Sequence, residues 1–148
     1  MKDLRLLFVN PCLRLGSPIK LLPVGLASVM TYVKAHGYTF DLLDIDINDY
    51  TNEIIEDKIK NTSHDVILLG TIVTHYKWVK WFTRMVKRHH PETKLVVGNS
   101  VGGSCFEVFF RNTPADVVVV GEGEISCLEV LNAFRDGRSL EGIAGIVY

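Results

Sequence analysis

Cysteine is scarce in this sequence, and what there is does not cluster. The three cysteines, Cys12, Cys105 and Cys127, are widely spaced and odd in number. That argues against a disulfide framework, and no Cys-x-x-Cys pair offers a zinc or iron–sulfur site. A reduced, cytoplasmic setting is the expectation that follows. An excess of either charge is also missing. The formal net charge is −1, so no general field favours nucleic acid or a membrane surface. No apolar run reaches the ~18 residues of a membrane span. The N-terminus goes from Met1-Lys2-Asp3 straight into a strand-like segment and lacks a secretory signal. There is no internal repeat and no low-complexity stretch. The 148 residues suit one domain, spanning 1–148, that can bury a real core.

What is present is organised around Ala115-Asp116-Val117-Val118-Val119-Val120-Gly121-Glu122-Gly123-Glu124. A continuous β-branched run of this kind reads as a strand buried on both faces, which places it inside a parallel sheet. The strand stops at Gly121. A helix then begins, with Ile125, Leu128 and Leu131 at apolar helical spacing. Glycines at the carboxyl end of a parallel strand allow a tight turn and close approach to a ligand, and that edge of an open α/β sheet is where ligands bind.

Taken in order, Leu4–Val9 is the first strand, ending at Asn10-Pro11. Pro23 suits the first turn of a helix whose stripe is Leu26, Met30 and Val33, with Gly37 as its terminal cap. Thr39–Leu43 is the second strand, ending in Asp44-Ile45-Asp46. Ile54, Ile55 and Ile59 mark an amphipathic helix between Asp49 and Lys60. Asp65–Gly70 is the third strand, followed by the loop Thr71–His75. The next helix carries Trp78, Trp81, Phe82 and Met85 on one face and Lys77, Lys80, Arg84, Lys87 and Arg88 on the other; Pro91 stops it. Lys94–Val97 is the fourth strand, a short helix surrounds Cys105–Arg111, and Asp116–Val120 is the fifth strand. Ile143–Tyr148 reads as one more short strand. Five alternations of strand and helix predict a Rossmann-like (flavodoxin-like) doubly wound α/β fold. Its five-stranded parallel sheet takes the order 2-1-3-4-5, with the short extra strand at the C-terminus. The loops ending at Asn10, Gly70, Gly98 and Gly121 then share one edge.

Several ligands of this fold class lack their chemistry here. A phosphate-accepting receiver needs an acidic pair after strand one and an aspartate ending strand three; Asn10-Pro11 and Gly70-Thr71 stand there. A flavodoxin needs a hydroxyl- and glycine-rich phosphate loop after strand one, and Asn10-Pro11-Cys12-Leu13-Arg14 is not one. Gly121-x-Gly123 begins a dinucleotide fingerprint, but Ser126 takes the third glycine's place. Glu122 and Glu124 favour the helix dipole and repel a phosphate. The loops suit something broad and mostly uncharged.

Pro23-Val24-Gly25-Leu26-Ala27-Ser28, followed by Tyr32, Gly37-Tyr38 and Asp44, resembles the first half of a known family. Val96-Val97-Gly98, Gly102-Gly103, Asp116–Val120 and Gly121-Glu122-Gly123-Glu124 resemble its second half. The family is the N-terminal cobalamin-binding domain of B12-dependent radical S-adenosylmethionine enzymes, which include anaerobic magnesium-protoporphyrin monomethyl ester cyclase-like proteins and class B methyltransferase-like proteins. The resemblance covers nearly the whole chain. It departs at Gly98-Asn99, where a second glycine is usual.

The resemblance implies a corrinoid lying across the carboxyl edge of the sheet. The residues it implicates are Asn10, Pro11 and Cys12 after strand one, and Gly70, Thr71, Val73, Thr74 and His75 after strand three. After strand four they are Gly98, Asn99, Ser100, Gly102 and Gly103, and after strand five Gly121, Glu122, Gly123 and Glu124. Asn10, Thr71, Asn99 and Ser100 would bond the amide side chains, while the glycines would let backbone close on the ring and nucleotide tail. Another cobalamin-binding group brings a histidine to cobalt through Asp-x-His-x-x-Gly. Here Cys12 stands in the histidine's place, so no histidine ligand is expected. Cys12 is a candidate soft metal ligand, though a lone cysteine near a strand end is more often a small buried hydrophobe.

Plainer readings stand beside these. Gly-Glu-Gly-Glu also serves as a strand-to-helix turn with favourable helix charge. His75 either reaches a ligand or caps the helix with Thr74. Trp78 and Trp81 read as core, with docking to a neighbouring domain as the alternative, and the basic face reads as solvated. His36, His64, His89 and His90 show no metal spacing. Radical chemistry needs Cys-x-x-x-Cys-x-x-Cys for a [4Fe-4S] cluster that engages S-adenosylmethionine, and that motif is absent. The expectation is a binding module without catalysis of its own, ending at Tyr148 where a downstream radical domain for methyl transfer or cyclisation would begin. The alternatives are a self-contained small-molecule or nucleotide sensor and an interaction domain using the aromatic helix.

Overall fold

Runs of β-branched and aliphatic residues bounded by Asn10, Gly70, Gly98 and Asp116 dictate the sheet, because each run is followed by a helix-forming segment that can cover it. The computed structural model describes residues 3–12, 14, 16–98 and 100–148, and gives only the backbone for 100–104. The elements are β1 (Leu6–Asn10), α1 (Val24–Ala35), β2 (Phe40–Asp44), α2 (Ile45–Asn48), α3 (Asn52–Asn61), β3 (Val66–Gly70) and a 3-10 turn (Val73–His75). They continue with α4 (Tyr76–His89), β4 (Lys94–Gly98), α5 (Ser100–Asn112), β5 (Val117–Val119), α6 (Glu124–Asp136) and β6 (Ile146–Val147).

The sheet runs β2-β1-β3-β4-β5-β6. The first five strands are parallel in the expected order, and β6 adds antiparallel to β5. Val117–Val119 is therefore internal and buried throughout. Alternation along each strand feeds two cores. Leu7, Val9, Ile67, Leu69, Val97 and Val118 meet α3 and α4 residues such as Ile55, Phe82 and Met85 on one face. Leu6, Phe8, Leu68, Val96 and Val119 meet α1 and α6 through Val33, Val130 and Leu131 on the other. Full burial of one such side chain contributes about 1.5–3 kcal/mol, so both layers are needed.

Asp116 anchors the amino end of β5. Its carboxylate accepts from Leu95 N–H at 2.9 Å, Lys87 Nζ at 2.8 Å and Lys94 Nζ at 3.1 Å. Burial alone would raise its pKa, but these donors outweigh burial and hold it below the usual carboxylate range.

Several local expectations need correction. Ile45-Asp46 does not continue β2; Asp44 caps a short helix there by accepting Ile47 N–H. Ile54 and Ile125 are 43% and 66% exposed, so α3 buries Ile55 and Ile59 while α6 buries Cys127, Leu128, Val130 and Leu131. The helix around Cys105 starts earlier, at Ser100, and breaks at Cys105. Neither Thr74 nor His75 caps α4 through its side chain. On the basic face of α4, Lys77, Arg84 and Arg88 are exposed as expected of a solvated face, while Lys87 departs from it by turning in to bond Asp116.

Candidate functional site

The parallel register aligns the strand ends, with Asn10 opposite Asp44 and Gly70 opposite Gly98. Above them, between the sheet and the α1 and α6 helices, opens a cavity of about 470 Å³, within the range of small-molecule sites. Its floor is Phe8, Leu68, Val96 and Val119, and its walls come from Pro23–Leu26, Ser28 and Val29 on one side and Gly121–Glu124 and Cys127 on the other. Gly70 and Gly98 make this space: a Cβ added to either meets nothing within 4 Å and would project into the opening. Gly121 has φ +81°, a left-handed conformation that a side chain would strain, and it turns the chain from β5 into α6.

The electrostatics of the cavity are one-sided. Glu122 and Glu124 line it, and no lysine or arginine does among the described residues. The Ser28 hydroxyl donates to Glu124 Oε1 across the gap between α1 and α6. That bond, followed by the carboxylate's own backbone N–H, holds Glu124 below the usual range and keeps it ionised. Cys127 behaves oppositely: burial, and then the Glu124 charge, pushes its thiol up to about 12. It enters the cavity wall as a neutral group.

The β1–α1 loop is tied to the other side of the edge. Buried Asn10 donates through Nδ2 to Leu21 O at 3.1 Å and Asp44 Oδ1 at 2.9 Å. Leu21 N–H donates to Asp46 Oδ2 at 2.8 Å, and Lys20 pairs with Asp49. Burial and a hydrogen bond to Asp46 raise the Cys12 pKa, which favours a thiol over a metal-binding thiolate. Three buried side-chain atoms lack a hydrogen-bond partner among the described residues: Asn10 Oδ1, His75 Nδ1 and Tyr76 Oη. Asn10 is the last residue of β1, and His75 and Tyr76 follow β3, so all three stand at the carboxyl end of the sheet. Buried polar atoms are normally satisfied, so the edge carries unused bonding capacity.

The cavity thus gathers Gly70, Thr71, Gly98, Gly121, Glu122, Gly123 and Glu124 from the sequence-based set. Asn10 ends β1, Pro11 and Cys12 begin the β1–α1 loop, and Val73, Thr74 and His75 form the 3-10 turn after β3, none of them lining the cavity. Asn99 lies outside the described residues; Ser100, Gly102 and Gly103 are placed only as backbone of the first part of α5. Sequence reasoning missed the α1 wall. The signal was present in Gly25, a poor helix former in the first turn after Pro23; the exposure of Val24 at the helix start is visible only in the structure.

A crevice outside the carboxyl ends of a doubly wound sheet, apolar below and without lysine or arginine among the described residues, is the ligand-binding place of this fold class. Residues 17–131 match the model of the B12 binding domain, and the chain belongs to that family. Across 127 residues it is 27% identical to an uncharacterized methyltransferase, PH0819, of Pyrococcus horikoshii, covering 85% of this chain and 28% of that protein. Its fold matches the radical S-adenosylmethionine methyltransferase TsrM of Kitasatospora setae, solved with cobalamin and a [4Fe-4S] cluster bound. The TM-score is 0.80 at 18% identity, covering 99% of this chain and 29% of that one. It also matches the cobalamin-dependent S-adenosylmethionine radical enzyme OxsB, solved with aqua-cobalamin bound, at TM-score 0.85 and 21% identity, over 98% of this chain and 20% of that one. The chain spans less than a third of the length of each of these relatives. No helix among the described residues is long and apolar enough to cross a membrane.

Proposed function

We propose that this chain is a cobalamin-holding module that places the corrinoid at the carboxyl edge of its sheet. The observation that carries the reading is the cavity at the glycine-paired strand ends, Gly70 beside Gly98. A volume of about 470 Å³ is too small for a whole corrinoid. It suits the nucleotide tail, leaving the ring across the strand ends near the 3-10 turn. The apolar floor accepts an aromatic base. Both Cys12 and His75 are assigned no bond to cobalt.

Bound cobalamin supplies a cobalt centre that can carry an alkyl group. This chain's part is to seat the tail and present the ring's outer face. The radical step of methyl transfer or cyclisation, with its [4Fe-4S] cluster and S-adenosylmethionine, is assigned to a further domain of a longer protein. The lengths of TsrM and OxsB relative to this chain support that division. The test is incubation with hydroxocobalamin, desalting and an absorption spectrum. Stoichiometric retained corrinoid is expected; none retained at high micromolar protein and ligand refutes the reading. An electron paramagnetic resonance spectrum of the Co(II) form showing a histidine nitrogen on cobalt refutes the ligand assignment.

A further inference from the structure

Both backbone polar groups of one residue in the β1–α1 loop, Leu21, are gripped by buried side chains. Asn10, fully buried at the end of β1, donates through Nδ2 to Leu21 O at 3.1 Å. Asp46, buried in α2, accepts Leu21 N–H at 2.8 Å. Asp44 Oδ1 takes the same Asn10 nitrogen at 2.9 Å and so fixes which way the amide faces. Burial would raise the Asp46 pKa, but Leu21 N–H, the Cys12 thiol and the charges of Lys20 and Arg14 hold it below the usual carboxylate range. The loop's own apolar side chains do not anchor it, since Ile19, Leu21 and Leu22 are exposed. Its hold on the domain runs through this backbone clamp.

Leu21 stands just before Leu22-Pro23, and Pro23, Val24, Gly25 and Leu26 form one wall of the carboxyl-end cavity. Little slack lies between clamp and wall. A residue preceding proline is pressed toward extended backbone, which restricts Leu22, and the proline ring fixes φ at Pro23, here −57°. α1 fully buries only Val33, near its far end, and no side chain caps its first turn. Ser28 ties the second turn to Glu124 of α6, which leaves the first turn to Leu21. The geometry points to Asp46 as a positioning residue for cobalamin: acting through Leu21, it holds the wall of the cavity that takes the nucleotide tail. This rests on the cobalamin reading above. Asp46 does not itself line the cavity, so its effect passes through the loop.

The test on the 148-residue chain combines absorption titration with hydroxocobalamin, urea midpoints, and limited trypsinolysis read by mass spectrometry at the Lys20–Leu21 bond. Asp46→Ala is expected to weaken hydroxocobalamin roughly tenfold or more, the loss of one hydrogen bond to a charged group, and to speed cleavage after Lys20 more than at other lysines and arginines. Asp46→Asn keeps an oxygen for Leu21 N–H and should return affinity to within about threefold of wild type. Asp116→Ala is the stability control: it loosens the amino end of β5 and should leave affinity unchanged. By linkage, bound hydroxocobalamin must in turn slow cleavage after Lys20 in wild type, a measurement that needs no variant to fold. Four results overturn the proposal: wild-type affinity in Asp46→Ala, Asp46→Asn as weak as Asp46→Ala, Asp116→Ala as weak as Asp46→Ala, or no protection of the Lys20 bond by bound hydroxocobalamin. If wild type retains no hydroxocobalamin, the cobalamin reading itself fails before any variant is needed, so the two failures are distinguishable.

Discussion

The two ends of the sheet each carry a concavity of similar size, and they are built on opposite principles. At the amino ends of β1, β3 and β4 lies a groove of about 520 Å³ rich in charge and histidine. Its polar groups are engaged. Arg5 bonds Asp65 and Ser63; His64 Nε2 lies 3.0 Å from Asp41 Oδ2; His89 Nε2 lies 2.8 Å from Glu56 Oε1; and His90 Nε2 lies 2.7 Å from Ile59 O. The carboxyl-end cavity is slightly smaller, yet its glycines open space no side chain fills, and the residues with unpartnered buried atoms, Asn10, His75 and Tyr76, stand at this end of the sheet and not at the other, although none of them lines the cavity. Volume does not separate a structural groove from a binding site here. Unspent hydrogen-bonding capacity does, because a buried group without a partner is costly unless a ligand or water completes it.

The sharpest way to break this comparison is to fill the carboxyl-end cavity alone. Gly98→Val places a branched side chain into open space without left-handed strain, so the fold should persist while corrinoid retention after desalting is lost. His90→Ala, in the amino-end groove, should leave retention unchanged. Equal losses from both would mean that the two ends are not distinct in the way argued.

A second expectation concerns stability at the amino end. Asp116→Ala removes the acceptor shared by Lys87, Lys94 and Leu95 N–H. It should lower unfolding free energy by about 1.5–3 kcal/mol, the range for hydrogen bonds to a charged group, read from urea titration. The pH dependence follows from the depressed folded-state pKa of Asp116. Its contribution is fully present above the ordinary carboxylate value of 3.8 and is lost as pH falls through the lower folded value. The stability difference between wild type and Asp116→Ala should therefore shrink below about pH 4. A difference that grows on acidification would contradict the assignment.

Smaller effects sharpen the carboxyl end. His75→Ala removes one neutral hydrogen-bonding group and should weaken cobalamin by at most ~0.5–1.5 kcal/mol, measured by absorption titration. Cys12→Ser should leave the spectrum of bound corrinoid unshifted, since the thiol already donates to Asp46. A shifted cobalt-sensitive band would restore Cys12 as a ligand.

Local pattern alone determined the alternation of five strands with helices and the common edge of the loops after Asn10, Gly70, Gly98 and Gly121; the order 2-1-3-4-5 was chosen for five such units, and the tertiary structure has it. The alternation and the common edge follow from burial periodicity and chain-crossover handedness, which short stretches of sequence express directly. The valine run of β5 was legible for the same reason: a strand covered on both faces needs no polar residue. Periodicity failed where an apolar residue at helical spacing faced the solvent, as with Ile54 and Ile125. It failed again where Asp44 turned the expected end of β2 into a helix cap. Tertiary structure alone decided which side of the edge is hollow. It brought the first turn of α1 over Phe8 and Leu68, set Ser28 against Glu124, and sent the β1–α1 loop toward Asp46 instead. These are contacts between residues far apart in the chain. Their formation depends on how helices settle on a twisted sheet, a quantity that no local run of residues encodes.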